Sequence, residues 1–286
     1  MSRTLARLLQ APSVILLFLW MVVPLGMTIY FSTIRYQLLY PERQGFVGWS
    51  NYDFFFTDPA FWPAILNTLM LVGSVLIITV GLGLAIALLI DRSFPGRGVL
   101  RVLLISPFFI MPTVNALLWK NMMLHPIYGL FAALAGFFGL EPIEWLKDAP
   151  LFSVVMIVSW QWTPFAILIF ITSLQNFDNE QKEAALLDGA GFRARFFYLI
   201  LPHLARPLAV VIMIQTIFHL SIFAEIFVTT SGGPGVQSTN LAFLIFAQAL
   251  QGFDVGVASA GGVLAIILAN IVAFFLIRMI GRNLAV

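Results

Sequence analysis

Six stretches of this chain are long enough and apolar enough to cross a lipid bilayer, and nothing else in it limits the fold so severely. They lie at about 12–32, 64–90, 99–120, 151–175, 204–229 and 256–280, and a span needs roughly 20 helical residues. Of the 286 residues 60% are apolar and 10% charged, too few charges to cover a water-soluble surface of that size. Backbone groups in lipid must bond to one another, so the spans are helices. Arg3 and Arg7 precede the first run, which is too long for a cleaved leader and lacks a small-x-small cleavage site. No internal repeat or low-complexity stretch divides the chain. The expected fold is all-α and integral to the membrane, with six transmembrane helices in one domain over 1–286.

The basic residues are distributed unequally between the two sides. With the N-terminus inside, Arg3, Arg7, Arg92, Arg97, Arg101, Lys182, Arg193, Arg195, Arg206, Arg278 and Arg282 fall inside. Arg35, Arg43, Lys120 and Lys147 fall outside. Positive charge favours the cytoplasmic side, so both termini are expected to be cytoplasmic. The outer segments 33–62 and 121–150 carry Tyr36, Tyr40, Trp49, Tyr52, Trp62 and Trp145, as suits an interfacial aromatic belt; contact with an external partner is the other reading.

Several kinds of chemistry are excluded. There is no cysteine, hence no disulfide, thiol nucleophile or Cys-ligated zinc. His125, His203 and His219 have no metal-ligand spacing, and no metal site is expected. None of the three lysines follows a glycine, so no phosphate-binding Gly-Lys loop is present. The spans hold no Ser/His or Asp/Asp constellation. No catalytic residue, bound cofactor or nucleic-acid partner is expected, and the chain is not expected to be an enzyme.

Between the fourth and fifth spans lies a polar island, 176–203. Asp178 followed by Gln181 reads as a capping-box helix start, and Glu180 and Glu183 suit a first turn. Gly189 and Gly191 permit a bend. Residue chemistry alone describes an amphipathic helix–turn–helix, either an inert loop or a docking site. Its spelling says more. Glu183-Ala184-Ala185, then Gly189 within Asp188-Gly189-Ala190, then Ile200-Leu201-Pro202, resembles the EAA motif of ABC-importer permeases. Trp160-Gln161-Trp162-Thr163-Pro164-Phe165, Thr230-Ser231-Gly232-Gly233-Pro234-Gly235, Asn51-Tyr52 and Asn67-Thr68 extend the likeness over nearly the whole chain. It is closest to the larger-subunit type of the maltose/glycerol-phosphate group. Phe223 to Leu284, with Ala258-Ser259-Ala260-Gly261-Gly262, is most similar to sorbitol/mannitol permeases, and Arg282-Asn283-Leu284 does not supply the partner type's C-terminal pattern.

The likeness implies a type I ABC importer permease fold in a bacterial inner (plasma) membrane, crossing it several times. Residues 176–203 would form the coupling segment, with Glu183, Ala184, Ala185, Asp188 and Gly189 meeting a cytoplasmic ATPase. Implied partners are a second permease, two ATPase subunits that use ATP and Mg, a periplasmic or lipid-anchored solute-binding protein, a small polyol or sugar, and membrane lipid.

Helical periodicity marks a candidate pathway face. Gln215, Phe218, His219, Ile222 and Glu225 lie at i, i+3, i+4, i+7 and i+10, one stripe of an unbroken helix. Amide, imidazole and carboxylate groups suit hydroxyls, and a ring suits a C–H face. By resemblance, ligand-contacting positions of maltose permeases transfer to Val158, Gln161, Trp162 and Phe165, and to Gln215, Phe218, His219 and Ile222. Each also has a packing reading: rings in the core, Gln215 bonded between helices, His219 neutral and satisfied, Glu225 bonded to Ser221 or Thr229. Asn115 and Trp119 are further candidates. Pro107 and Pro112 are expected to kink the third span, and Asp254 to be a solvated residue before the sixth.

The function so implied is the permease subunit of an ATP-driven polyol or sugar importer, with another carbohydrate, such as an oligosaccharide or glycerol-phosphate, as the alternative. An ion-coupled secondary transporter is the rival from another class. It predicts inverted repeats and broken helices, and the sequence shows neither.

Overall fold

The computed structural model describes residues 3–91 and 94–284. Arg92, and the side chains of Arg3, Arg7, Arg282, Asn283 and Leu284, lie outside what is described. Helix α1 (Arg3–Ser32) leads to a two-residue hairpin, β1 (Ile34–Arg35) with β2 (Gly45–Phe46), then α2 (Ser50–Thr57) and α3 (Phe61–Ile90). Next come α4 (Arg97–Ile105), α5 (Pro112–Leu118), α6 (Leu130–Phe137), α7 (Trp145–Asp148) and α8 (Pro150–Gln175). The polar island holds α9 (Asn179–Leu187) and α10 (Phe192–Arg195). The remainder is α11 (Leu201–His203), α12 (Ala205–His219), α13 (Ala224–Thr229), α14 (Leu241–Phe246) and α15 (Val255–Leu284).

Four segments are continuous and apolar enough to span a membrane: Leu9–Ser32, Phe61–Ile90, Pro150–Gln175 and Val255–Arg278. Two more are bent pairs, Arg97–Phe109 with Pro112–Met123 at 105°, and Phe192–His203 with Ala205–His219 at 60°. Counting each pair as one span gives the expected six. The third span therefore breaks where a kink was expected. Pro112 opens α5 at its first turn, where a missing N–H costs nothing, and extended Ile110 and Met111 interrupt the helix.

The expected fifth span, 204–229, is also corrected. Its helix stops at His219, and Phe223, at φ −144° and ψ −48°, lies between it and α13. The apolar run continues through 220–223, so hydropathy could not mark the end. Broken helices are thus present, and their apparent absence from the sequence does not argue against the ion-coupled rival.

The chain divides into two compact units, Met1–Trp62 with Leu244–Leu268, and Pro63–Phe243 with Ala269–Val286. In the first, Asn51 Nδ2 donates to the carbonyls of Ser32 (2.9 Å) and Ile34 (2.8 Å), and Ser32 Oγ meets Tyr52 Oη at 2.7 Å. The Asn51-Tyr52 pair therefore fixes how the chain leaves α1. Buried Phe55 fills the notch left by Gly261, where an added Cβ would stand 2.5 Å from the ring.

In the second unit Ala87, Ile90, Ala166, Ile167, Phe170, Leu174, Leu204 and Val211 form a buried core. There α3 meets α8 at Gly83, where an added Cβ would lie 2.7 Å from Ala166 Cβ. Gly83→Leu is expected to force the helices apart and to destabilise the chain by about 1–3 kcal/mol. A lower thermal midpoint in detergent, with Gly81→Leu (open space around its Cβ) near wild type, checks this.

Two motifs far apart in sequence meet in this unit. Asn67 Nδ2 donates to the carbonyls of Val236 and Thr239, both at 2.9 Å, and Leu241 N donates to Thr68 Oγ1 at 2.9 Å. The turn they hold has Gly232 at φ +83° and Gly235 at φ +59°, with a cis Gly233–Pro234 bond. Thr239 Oγ1 donates to Gly232 O and Ser238 Oγ to Gly233 O, each at 3.0 Å.

Candidate functional site

The two predicted stripes meet across α8 and α12. Gln215, fully buried, accepts from Thr79 Oγ1 at 2.6 Å and donates through Nε2 to Trp162 O at 3.3 Å. The Trp162 ring lies 5.1 Å from Phe218 and 5.1 Å, edge-on, from His219. Phe108 stacks on Phe165 at 5.8 Å and meets Trp162 at 5.5 Å. The interhelical-bond reading of Gln215 is thus correct, and the amide still borders the aromatic group. Phe218 is half exposed.

Gln161 sits at a second polar junction. Its Nε2 donates to Ile110 O at 2.6 Å, and its Oε1 accepts from Asn115 Nδ2 at 2.9 Å. Ile110 belongs to the break in the third span, so one buried amide closes a carbonyl that the broken helix leaves open. Nothing in the local sequence announces this pairing. Trp119, by contrast, turns elsewhere. It contacts Phe131 at 6.2 Å and Trp160 at 5.9 Å, and Trp160 does not share the Gln161–Trp162–Phe165 face.

Three buried polar atoms here lack a hydrogen-bond partner among the described residues: Asn115 Oδ1 and both ring nitrogens of His219. His219 is 0% exposed. Its reading as a satisfied packing residue is therefore corrected. Burying such a group unpaired costs roughly 1–3 kcal/mol, so the site carries hydrogen-bonding capacity that the chain itself leaves unused.

Ile222 and Glu225 do not continue the α12 stripe, because the helix ends at His219. Ile222 is buried, with its carbonyl accepting from Asn240 Nδ2 at 2.6 Å. Glu225 is 4% exposed in the first turn of α13. Thr229 Oγ1 donates to the backbone carbonyl of Glu225 at 2.6 Å, so the expected Thr229 bond reaches the main chain. Lys120 Nζ donates to Val228 O (2.9 Å) and Thr229 O (3.3 Å), capping α13 as a cation suits a helix C-terminus. Sequence reasoning placed Lys120 only by its side of the membrane.

The polar island forms the expected helix and turn, but the capping box is corrected: Asp178 caps α9 through Glu180 N rather than Gln181, and Glu180 is its first-turn acid. Asp178 Oδ1 accepts from Glu180 N at 2.9 Å at the start of α9. At its end Ala190 N donates to Ala185 O (2.9 Å) and Gly189 N to Leu186 O (3.1 Å), a Schellman motif. It requires a left-handed residue, and Gly189 has φ +72°. Gly191, at φ −65°, is ordinary extended backbone. Glu183, Ala184 and Asp188 are exposed and Ala185 half-buried. Leu187, 88% exposed, stands beside them with Leu186 and Phe192, also exposed.

Behind this surface α9 is tied to its own bundle. Lys182 Nζ lies 3.8 Å from Asp91 Oδ2 and 5.3 Å over the Phe177 ring, and Arg97 reaches Asp91 Oδ1 at 3.9 Å. His203 Nε2 contacts Ser173 O at 3.0 Å, and its ring meets Phe177 at 4.7 Å. Gln175, with its amide oxygen turned to Arg101, accepts from both terminal guanidinium nitrogens at 2.6 and 3.0 Å. Through Lys182, α9 is linked to Asp91 after α3 and to Phe177 after α8, and Asp91 links on to Arg97 at the start of α4.

Apolar spans, two of them bent, around a buried polar junction, with an exposed helix between α8 and the bent fifth span, are the features of a polytopic membrane protein. The chain belongs to the family of binding-protein-dependent transport system inner membrane components, whose match covers residues 3–286; it is accordingly a multi-pass inner-membrane protein. It is 34% identical over 247 residues to a probable ABC transporter permease, y4oQ, of Sinorhizobium fredii (86% of this chain, 80% of that one). It is 32% identical over 266 residues to the trehalose/maltose transport system permease MalF of Thermococcus litoralis (92% and 89%). A bacterial alginate ABC transporter, crystallised with an alginate pentasaccharide-bound periplasmic protein, contains a chain of the same fold. The TM-score is 0.81 at 22% identity, over 96% of this chain and 93% of that one.

Proposed function

We propose that this chain is one of two permease subunits of an ATP-driven sugar or polyol importer, with both termini cytoplasmic. The observation that carries the reading is fully buried His219, unpartnered at both ring nitrogens beside Trp162 and Gln215. A hydroxylated ligand supplies both donors and acceptors, and Trp162, Phe165 and Phe218 offer faces for its C–H surfaces. Gln161 and Gln215 shape the site while bonded within the protein. Glu225 and Ile222 flank it from beyond the helix break.

Glu183, Ala184, Ala185, Asp188 and Gly189 present α9 to a cytoplasmic ATPase, with Leu186, Leu187 and Phe192 as the apolar part of that contact. ATPase closure moves α9, and the Asp91, Phe177 and His203 contacts carry the displacement into the spans. ATP, bound with Mg, is hydrolysed in the ATPase chains, and a solute-binding protein delivers the ligand. The name of the Thermococcus relative favours a trehalose- or maltose-like ligand. The polyol reading rests on the likeness of Phe223–Leu284 to sorbitol and mannitol permeases.

The test is uptake into proteoliposomes holding the chain, its partner permease, the ATPases and the binding protein, with sorbitol, mannitol, trehalose and maltose in parallel. Accumulation of one of these classes, strictly dependent on ATP and the ATPase subunits, is expected. Uptake that persists without the ATPase would overturn the importer reading in favour of ion coupling.

A further inference from the structure

Two of the four basic residues on the expected outer side, Arg35 and Arg43, face one recess in the first compact unit. The recess has a volume of about 310 Å³ and is lined by Arg35, Gln37, Arg43, Ser50 and Asp254, together with apolar Val47, Phe54 and Val257. Hairpin register places Arg35 opposite Gly45, which leaves its side chain no bulky cross-strand neighbour. Arg43 lies 4.8 Å over the Tyr40 ring and a loose 3.9 Å from Glu42, both ends of that pair being largely exposed.

Depth follows from the spans on either side. α1 ends at Ser32 and α15 begins at Val255, so the recess lies at the boundary of the hydrocarbon layer. The hairpin is fastened there. Leu38 N donates to Phe253 O at 2.8 Å, and the N–H groups of Val255 and Gly256 donate to Tyr36 O at 2.9 and 3.1 Å. Around it Phe46 (81%) and Trp49 (79%) are exposed, as are Leu38 and Leu39. Aromatic and aliphatic side chains at that depth belong in the headgroup zone.

We propose that this recess binds the headgroup of a glycerophospholipid, the phosphodiester resting on Arg35 and Arg43. Guanidinium groups match phosphate oxygens in charge and in fork geometry. Asp254 adds selectivity. Its Oδ1 accepts from Val257 N at 3.0 Å as the cap of α15, and its Oδ2 is left for the ammonium of an ethanolamine headgroup. Asn51 offers the phosphate no donor, since its Nδ2 is committed to the carbonyls of Ser32 and Ile34. A free phosphate shares the arginine chemistry but gains nothing from Asp254 or the apolar rim.

The full chain, purified in detergent, is exposed to phosphatidylethanolamine, phosphatidylglycerol and diacylglycerol, and retained lipid is counted by native mass spectrometry. Wild type is expected to hold both phospholipids over diacylglycerol, and ethanolamine over glycerol headgroups. Arg35→Gln with Arg43→Gln should lower phospholipid retention about tenfold, the equivalent of one charge-assisted contact. The double lysine variant should retain an intermediate amount and keeps the test open if the glutamine pair does not fold. Asp254→Asn, which still caps α15, should keep phospholipid and lose the ethanolamine preference. Equal retention by all variants, or displacement of lipid by millimolar inorganic phosphate, would overturn the proposal.

Discussion

His219→Leu is expected to stabilise the chain while impairing transport. The substitution replaces a buried imidazole, unpartnered at both nitrogens, with an apolar side chain of similar volume. Removing an unsatisfied buried group should gain about 1 kcal/mol or more. If the imidazole serves the ligand, the same change removes its hydrogen bonds and uptake should fall at least about tenfold, the loss of roughly 1.4 kcal/mol. Sites that work on a ligand are commonly unfavourable in its absence. Thermal unfolding of the purified chain and uptake by the reconstituted complex read the two effects separately. A variant both more stable and fully active would remove His219 from the pathway and return it to packing.

Gly189→Val is expected to leave the membrane spans folded and to disable coupling. A β-branched residue at φ +72° costs about 1–3 kcal/mol, and the two Schellman bonds from Gly189 and Ala190 must loosen to relieve it. An added Cβ meets nothing within 4 Å, so the penalty is purely conformational. Phe192, on α10, then changes its position relative to Leu186 and Leu187 on α9. Ligand-stimulated ATP hydrolysis by the complex should drop at least about tenfold, with the melting of the isolated chain within a few degrees of wild type. Gly191→Val should be far milder, because Gly191 occupies an ordinary backbone conformation. Equal effects at the two glycines would show that backbone handedness is not what the segment requires.

Much of the architecture was legible because it is written locally. Span lengths follow from hydropathy, the start of α9 from Asp178, and its end from Gly189; each depends on residues within a turn or two of one another. The α12 stripe was legible from periodicity as far as His219, and the α8 stripe from the family likeness. Beyond it the pattern misled, since Ile222 and Glu225 keep a helical spacing although the helix has stopped. A four-residue break inside an apolar run leaves no trace in hydropathy.

What the sequence determined by itself is the solvent of the chain, its candidate membrane spans and the position of its exposed polar helix. Those depend on composition and short-range period. Only the tertiary structure decided that Asn67 and Thr68 hold the turn at Gly232–Gly235, that Gln161 closes the carbonyl of Ile110, and that Lys120 caps α13. It also decided which of three histidines is left unsatisfied. Each of these depends on groups dozens to more than a hundred residues apart, and a buried polar group is paired or orphaned by the helices packed beside it.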